Sequence, residues 1–442
     1  MKNIFQSLVS LVLLSLLISC DASPQISGPK NYVIGQPVTI RVEQGSNFVE
    51  GQFKIVDSEG GIFTPTTSPA MEYNFIGGKE FSFRVPPFVA AGSATLEIGS
   101  TSGPYRIDVN LYRGFVSGDG AGNVTMYSLD NPGKVLRRGQ MGIGTYQLRL
   151  LNDQSQFVAF SPTDGRIDWL SVDNSDTSKF GVVAPSLSIA SDTPGVNARP
   201  SDILALTRGL VVATDRGVGT LLVSAVGSGT EVTFGSWISQ AASFNALDVS
   251  DVLSEGAGAR IVAAGAVGTT TESVLVVFNS VPFPTNNSTK VQITLTAESA
   301  NVSDVAIARS GAYIAAVNPD LNRLFLVEFD SRNVVPTDIT GCQNPRSLQF
   351  VAGDQRLAVL CVNSRTLELF SVSGTTATPY RSIQVGAETK KPIALYYDVS
   401  GLLYISLEGG GLQAIDAGSS NPEVVSIAGF DGIIAGSFFI QP

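Results

Sequence analysis

The sequence predicts an all-β protein in two parts: an N-terminal sandwich of the immunoglobulin kind, then a seven-bladed β-propeller closed by a C-terminal strand. Three observations carry this. Short apolar stretches alternate with turn residues as far as Asn110. Beyond it, a strand-and-turn unit recurs about every 48 residues, the spacing of four-stranded propeller blades. The helical periods that a TIM barrel or an α-solenoid needs are absent from that second part. Composition agrees, with 15% charged and 43% hydrophobic residues among 442 and with 45 glycines. That balance suits many strands joined by tight turns and excludes disorder, which needs low hydrophobicity and high charge.

The first element is an apolar run from near Ile4, with Lys2 ahead of it and Leu17-Ile18-Ser19-Cys20 at its end. The run falls short of the about 20 apolar residues that span a bilayer. A small residue just before a cysteine resembles the lipobox of bacterial lipoproteins, which implies cleavage before Cys20 and acylation of that cysteine. Several acyl chains on one terminus anchor stably, whereas one binds only marginally. Residues 1–19 are therefore expected as a signal peptide and 20–23 as a lipidated linker. The body is then tethered on the exported side of a membrane. The alternative is an ordinary secretory signal with an incidental cysteine. Asp21 resembles the signal that retains enteric lipoproteins in the inner membrane. Where that rule holds, the body faces the periplasm from the inner membrane; where it does not, the outer membrane holds it.

The sandwich is expected over 24–110. Val38, Ile40 and Val42 alternate with Thr39 and Arg41, as Phe81 and Phe83 alternate with their neighbours, and Ala94, Leu96 and Ile98 with theirs. A period of two marks strands with one buried face. Pro86-Pro87 ends its strand because proline cannot donate to a ladder. Gly28-Pro29, Gly35-Gln36-Pro37-Val38-Thr39-Ile40, Asn47-Phe48, Phe83-Arg84-Val85-Pro86 and Gly92-Ser93-Ala94-Thr95-Leu96 together resemble the IPT/TIG type of immunoglobulin-like domain. The resemblance implies a spacer or interaction module, with no catalytic residue to carry over.

The propeller is expected over 113–442. Its clearest element is a strand after a turn, recurring as NVTMYSLD (from Asn123), RIDWLSVD (Arg166), GTLLVSAV (Gly219), SVLVVFNS (Ser273), RLFLVEFD (Arg323), TLELFSVS (Thr366) and GLQAID (Gly411). An apolar hairpin partner precedes each one, such as YIAAVN and LAVLCVN. Ahead of four of these stand PSDILAL, VSDVAIA, PRSLQFV and PIALYYD. The first unit lacks its leading strand, and IIAGSFFI, Ile433 to Ile440, has no partners of its own, so it is expected to supply that strand and cover the open edge. The region resembles the YVTN/WD40-like propellers and their lactonase-like relatives, although no Gly-His or Trp-Asp signature occurs.

The histidine count is zero, which removes the commonest general acid–base group and every histidine-containing triad or metal set. With 28 Lys+Arg against 38 Asp+Glu, a net charge of −10 and no basic cluster, nucleic acid is excluded as an expected partner. Cys342 and Cys361 lie near one sheet edge and form a candidate disulfide in an oxidising compartment; the alternative is that Cys361 is a small buried hydrophobe.

The starts of innermost propeller strands converge on one channel mouth. This places Tyr146 and Gln147, Ser201 and Asp202, Ser303 and Asp304, Arg346 and Ser347, and Lys391 as candidate binding residues. Asp202, Asp304 and Arg346 suit a polar ligand, a cation or a chain end; alternatively they hydrogen-bond backbone at the blade junctions. Gly118 to Asn123 has one carboxylate where a calcium loop wants several, and Gly409-Gly410-Gly411 precedes a strand where a phosphate loop wants a helix; both read as turns. No metal, cofactor or catalytic residue is expected. The leading functional expectation is a non-catalytic, membrane-anchored scaffold for envelope proteins or polysaccharide. The alternatives are a lactonase-like or other hydrolase at the Asp202, Asp304 and Arg346 mouth, and an adhesin displayed outside the cell.

Overall fold

The computed structural model describes residues 25–28, 30–35, 37–44, 47–65, 73–86, 89–101, 103–118, 121–131, 133–141, 147–150, 156–161, 166–171, 180–182, 187–188, 200–206, 209–214, 220–224, 234–236, 242–249, 260–267, 272–279, 290–397, 401–431 and 437–439. Among these residues every regular element is a strand. The chain divides into two compact units between Tyr112 and Arg113. Cys20, Asp21 and Tyr146 lie outside the described residues.

The N-terminal unit contains two sheets. One orders its strands Gln25–Ser27, Pro37–Gln44, Glu80–Arg84, Tyr73–Ile76; the other runs Asn31–Val33, Tyr105–Tyr112, Gly92–Ser100, Phe48–Val56, Ile62–Phe63. All pairings are antiparallel except that of Asn31–Val33 with Tyr105–Tyr112. The alternating positions do what their period requires. Val38, Ile40 and Val42 are buried while Arg41 is exposed, and Phe81, Phe83, Leu96 and Ile98 enter the same core. Its centre is aromatic, with Phe53 edge-on to Phe81 at 4.6 Å and Phe81 stacked on Phe83 at 5.3 Å. Such pairs add about 0.5–1.5 kcal/mol each beyond their buried area.

The C-terminal unit is built of antiparallel sheets, most of them four-stranded and consistent with a β-propeller. Strands 200–236, 242–296, 304–338, 345–384 and 392–431 form successive meanders, each strand paired with the next in sequence. A sheet within 147–188 precedes them, and a sheet within 114–140 takes its remaining strand, Ser437–Phe439, from the end of the chain. The first strand of each meander lies beside the first strand of the next, and Ser437–Phe439 lies beside both Pro392–Tyr397 and Gln147–Leu150.

The two middle strands of a meander are apolar almost throughout because both their faces are covered. In Tyr313–Asn318 and Arg323–Glu328, Ala315, Val317, Leu324 and Leu326 pack with the following sheet, through residues such as Leu348 and Val359. Their alternates, Ile314, Ala316, Phe325 and Val327, pack with the preceding one, through Val262 and Leu275. One period-two strand thus serves two neighbours. The last strands, such as Thr376–Gln384, are mostly exposed. Phe115 and Leu129 of the first sheet pack with Tyr404 and Leu412 of the last.

Candidate functional site

The first strands of the meanders carry carboxylates that bridge from one sheet to the next. Asp202, on Pro200–Leu206, is buried and accepts from its neighbour Ile203 N–H and, at 2.8 Å, from Leu247 N–H on the adjacent first strand. Asp248, on Ala242–Val249, accepts from Ile307 N–H at 2.7 Å. Asp304, which opens Asp304–Ile307, accepts from Val305 N–H and, at 2.8 Å, from Leu348 N–H. Hydroxyls repeat the pattern: Ser303 Oγ donates to Pro345 O at 2.8 Å, and Ser201 Oγ donates to Phe244 O. A carboxylate holding two backbone N–H groups satisfies donors that a sheet junction leaves without ladder partners.

Proximity has an electrostatic consequence. Asp304 is pushed up to about 8, first by desolvation and then by the negative charges of Asp202 and Asp248, against the lowering effect of its two N–H donors. The residue keeps some exposed surface, but its carboxylate is surrounded by protein. Among the described residues, no group of three or more Cys, Asp or Glu is placed to hold a metal ion.

Arg346 sits elsewhere. No hydrogen bond or ion pair joins it to Asp202 or Asp304; it is exposed on the rim of a polar basin of about 480 Å³. Asn301, Pro319, Asp320 and Asn322 form one side of this basin, and Gln343, Asn344, Arg346 and Asn363 the other. Arg346 lies at the start of Pro345–Val351, and the others belong to loops at the end where Asp304–Ile307 and Pro345–Val351 begin.

The walls are fixed from below. Asn344 N–H donates to Asn322 Oδ1 at 2.9 Å, tying the two sides together. Both asparagines hold positive φ, 50° and 59°, a conformation asparagine tolerates better than most residues. Asn363 N–H donates to Gln343 O, and Val362 N–H to Asn344 O. Cys342 and Cys361 are bonded to one another, pinning the segment with Gln343, Asn344 and Arg346 to the turn with Asn363. Behind the basin, buried Asn318 accepts from Asp320 and Leu321 N–H and donates to Ser299 O.

Of the other sequence candidates, Gln147 opens Gln147–Leu150, Ser347 is half-buried, and Lys391 is exposed, its carbonyl accepting from Glu408 N–H. Gly409 lies in the turn before Gly410–Asp416, and Gly118 and Asn123 are the facing ends of a hairpin. Sequence reasoning missed Asp248 and the amides of the basin. Of the amides, Asn363 directly follows the apolar stretch of LAVLCVN, where the sequence by itself reads it as turn punctuation.

The chain matches no protein-family model and no curated protein. Among solved structures it is similar to a functionally unknown protein from Desulfotomaculum acetoxidans, at 13% identity and a TM-score of 0.54, over 75% of this chain and 99% of that one. It is also similar to the dihydro-heme d1 dehydrogenase NirN in complex with DHE, at 13% identity and a TM-score of 0.50, over 74% of this chain and 75% of that one. The β-propeller domain of Myceliophteria thermophila Cps50 aligns at 13% identity and a TM-score of 0.45, over 64% of this chain and 86% of that one. The neighbours are β-propeller proteins, and at these identities the likeness is one of fold alone.

Proposed function

We propose that the protein is a non-catalytic, lipid-anchored envelope scaffold. In this reading an IPT/TIG-like immunoglobulin sandwich carries a seven-bladed YVTN/WD40-like propeller, closed by Ser437–Phe439, which binds an envelope protein or polysaccharide. The observation that carries it is the employment of the carboxylates on the first strands. Asp202, Asp248 and Asp304 hold backbone N–H groups of the neighbouring strands. A hydrolase at this mouth needs carboxylates free to bind a metal or to move a proton. The lack of any histidine removes the usual substitute.

The lipobox at Leu17-Ile18-Ser19-Cys20 supports the anchor, and Asp21 supports retention in the inner membrane. Crosslinking in living cells tests the reading, followed by identification of what co-purifies. The expected result is one or a few envelope components held by the wild type and lost with Cys20→Ala, which is expected to fold but to incorporate no labelled fatty acid. A purified protein that hydrolyses a lactone, with the activity lost in Asp304→Asn, would replace the scaffold with the enzyme.

A further inference from the structure

We propose that the basin beside Arg346 binds a short stretch of acidic glycan, with the Arg346 guanidinium on a sugar carboxylate and the surrounding amides on sugar hydroxyls. This deepens the scaffold reading by naming its ligand class and the surface that takes it.

Four features point to this chemistry. The first is unused hydrogen-bonding capacity. The side-chain amides of Gln343, Asn344 and Asn363 make no hydrogen bond among the described residues, and Asn322 uses only its Oδ1. An amide carries two donors and an acceptor, and a sugar hydroxyl likewise donates and accepts, so rows of amides and rows of hydroxyls satisfy one another. The second is charge. Arg346 has no ion pair or hydrogen bond among the described residues, and a guanidinium presents a planar fork that matches a carboxylate in two places. The nearby Asp320 does not serve as its counter-ion. Its Oδ2 accepts from Ser299 Oγ at 2.7 Å and its Oδ1 from Asn301 Nδ2 at 3.0 Å.

The third feature is what the walls lack. Protein partners dock through buried aromatic or aliphatic anchors, whereas Pro319 is the only apolar residue of the lining. The volume, about 480 Å³, is that of a ligand pocket, yet the lining is polar where pockets for apolar ligands are not. The fourth is rigidity. The Asn344 to Asn322 hydrogen bond joins the two walls across adjacent sheets, and the Cys342–Cys361 bond braces one of them internally. The ordering that binding usually costs is therefore already in place.

The test uses the purified full chain and three probes: an oligogalacturonate, the uncharged oligogalactose of the same length, and a poly-glutamate peptide. Calorimetric titration is expected to show binding of the oligogalacturonate, little or none of the other two, and shifts in the Asn and Gln side-chain amide NMR signals. Arg346→Gln is expected to weaken binding by about tenfold or more, as loss of a charge-assisted pair implies. Its melting temperature is expected to match the wild type, since the side chain is exposed and without partners among the described residues. Asn363→Ala provides a second, independent loss. The proposal is overturned by equal binding of the uncharged sugar, by preference for the peptide, by undiminished binding to Arg346→Gln, or by no binding of the oligogalacturonate. A protein captured in cells together with no glycan binding would leave the scaffold standing and remove this site.

Discussion

At the scale of single residues, Asp304 combines a structural duty with an electrostatic cost. Its carboxylate holds Leu348 N–H across a sheet junction, while burial and two neighbouring aspartates push it from 3.8 up to about 8. Between those values the folded protein binds a proton that the unfolded chain does not. The stability from this group is therefore full below the lower value and lost as pH rises through the upper one. Asp304→Asn keeps an acceptor oxygen and has no charge. Melting curves across that range are expected to show the wild type losing stability towards alkaline pH more steeply than the variant. Parallel profiles would show that Asp304 stays ionised throughout. Asp304→Ala instead strands the Leu348 N–H, at a cost of about 1–3 kcal/mol. Asp202 and Asp304 were legible as a pair because each follows a serine at the start of an apolar stretch. Asp248 was not, since it sits near the end of Ala242–Val249. Asn322, Asn344 and Asn363 were hidden differently: in sequence they read as turn punctuation, and only the pairing of adjacent sheets turns them into a wall.

At the scale of elements, the apolar meanders were plain from period and burial pattern, but the irregularities at their starts were not. Pairing slips by a residue between Pro200 and Asp202, Phe244 and Ala246, Pro345 and Ser347, and Pro392 and Ala394. In three of these a proline, which has no N–H to give a ladder, stands at the slip. A bulge increases local twist and re-aims side chains, which here accompanies the sheet-to-sheet contacts of Asp202 and Ser201. Its position depends on the partner strand, so one sequence cannot announce it. The Cys342–Cys361 bond is an element-scale device of the same region, closing a loop of sequence separation 19. Replacing both cysteines by alanine is expected to cost roughly 3 kcal/mol in the chain-entropy account. Urea titration reads this as a lower midpoint, with a slope that rises as the unfolded chain loses its crosslink. A midpoint equal to the wild type's would mean the reduced unfolded chain already keeps these segments together.

At the scale of the molecule, the C-terminal unit depends on a pairing between its two ends. Ser437–Phe439 joins Gly114–Gly118, matching Phe115 with Phe439 and Ser117 with Ser437, and lies beside Pro392–Tyr397 and Gln147–Leu150. Removing Ile433 to Pro442 exposes the inner edge of the first sheet, and an open edge is a template for pairing with another chain. It also takes a contact from the sheet on either side, so the loss is shared around the unit instead of fraying one end. Phe115, buried against Tyr404 and Leu412, links the first sheet to the last and would pass the disturbance on. The truncated protein is therefore expected to melt several degrees lower by circular dichroism and by tryptophan fluorescence together, Trp169 being buried in the second sheet, and to associate on heating where the wild type does not. If only the dichroism shifts, the first sheet unfolds alone and closure adds nothing to the rest. If neither probe shifts, the pairing of Phe115 with Phe439 contributes no stability.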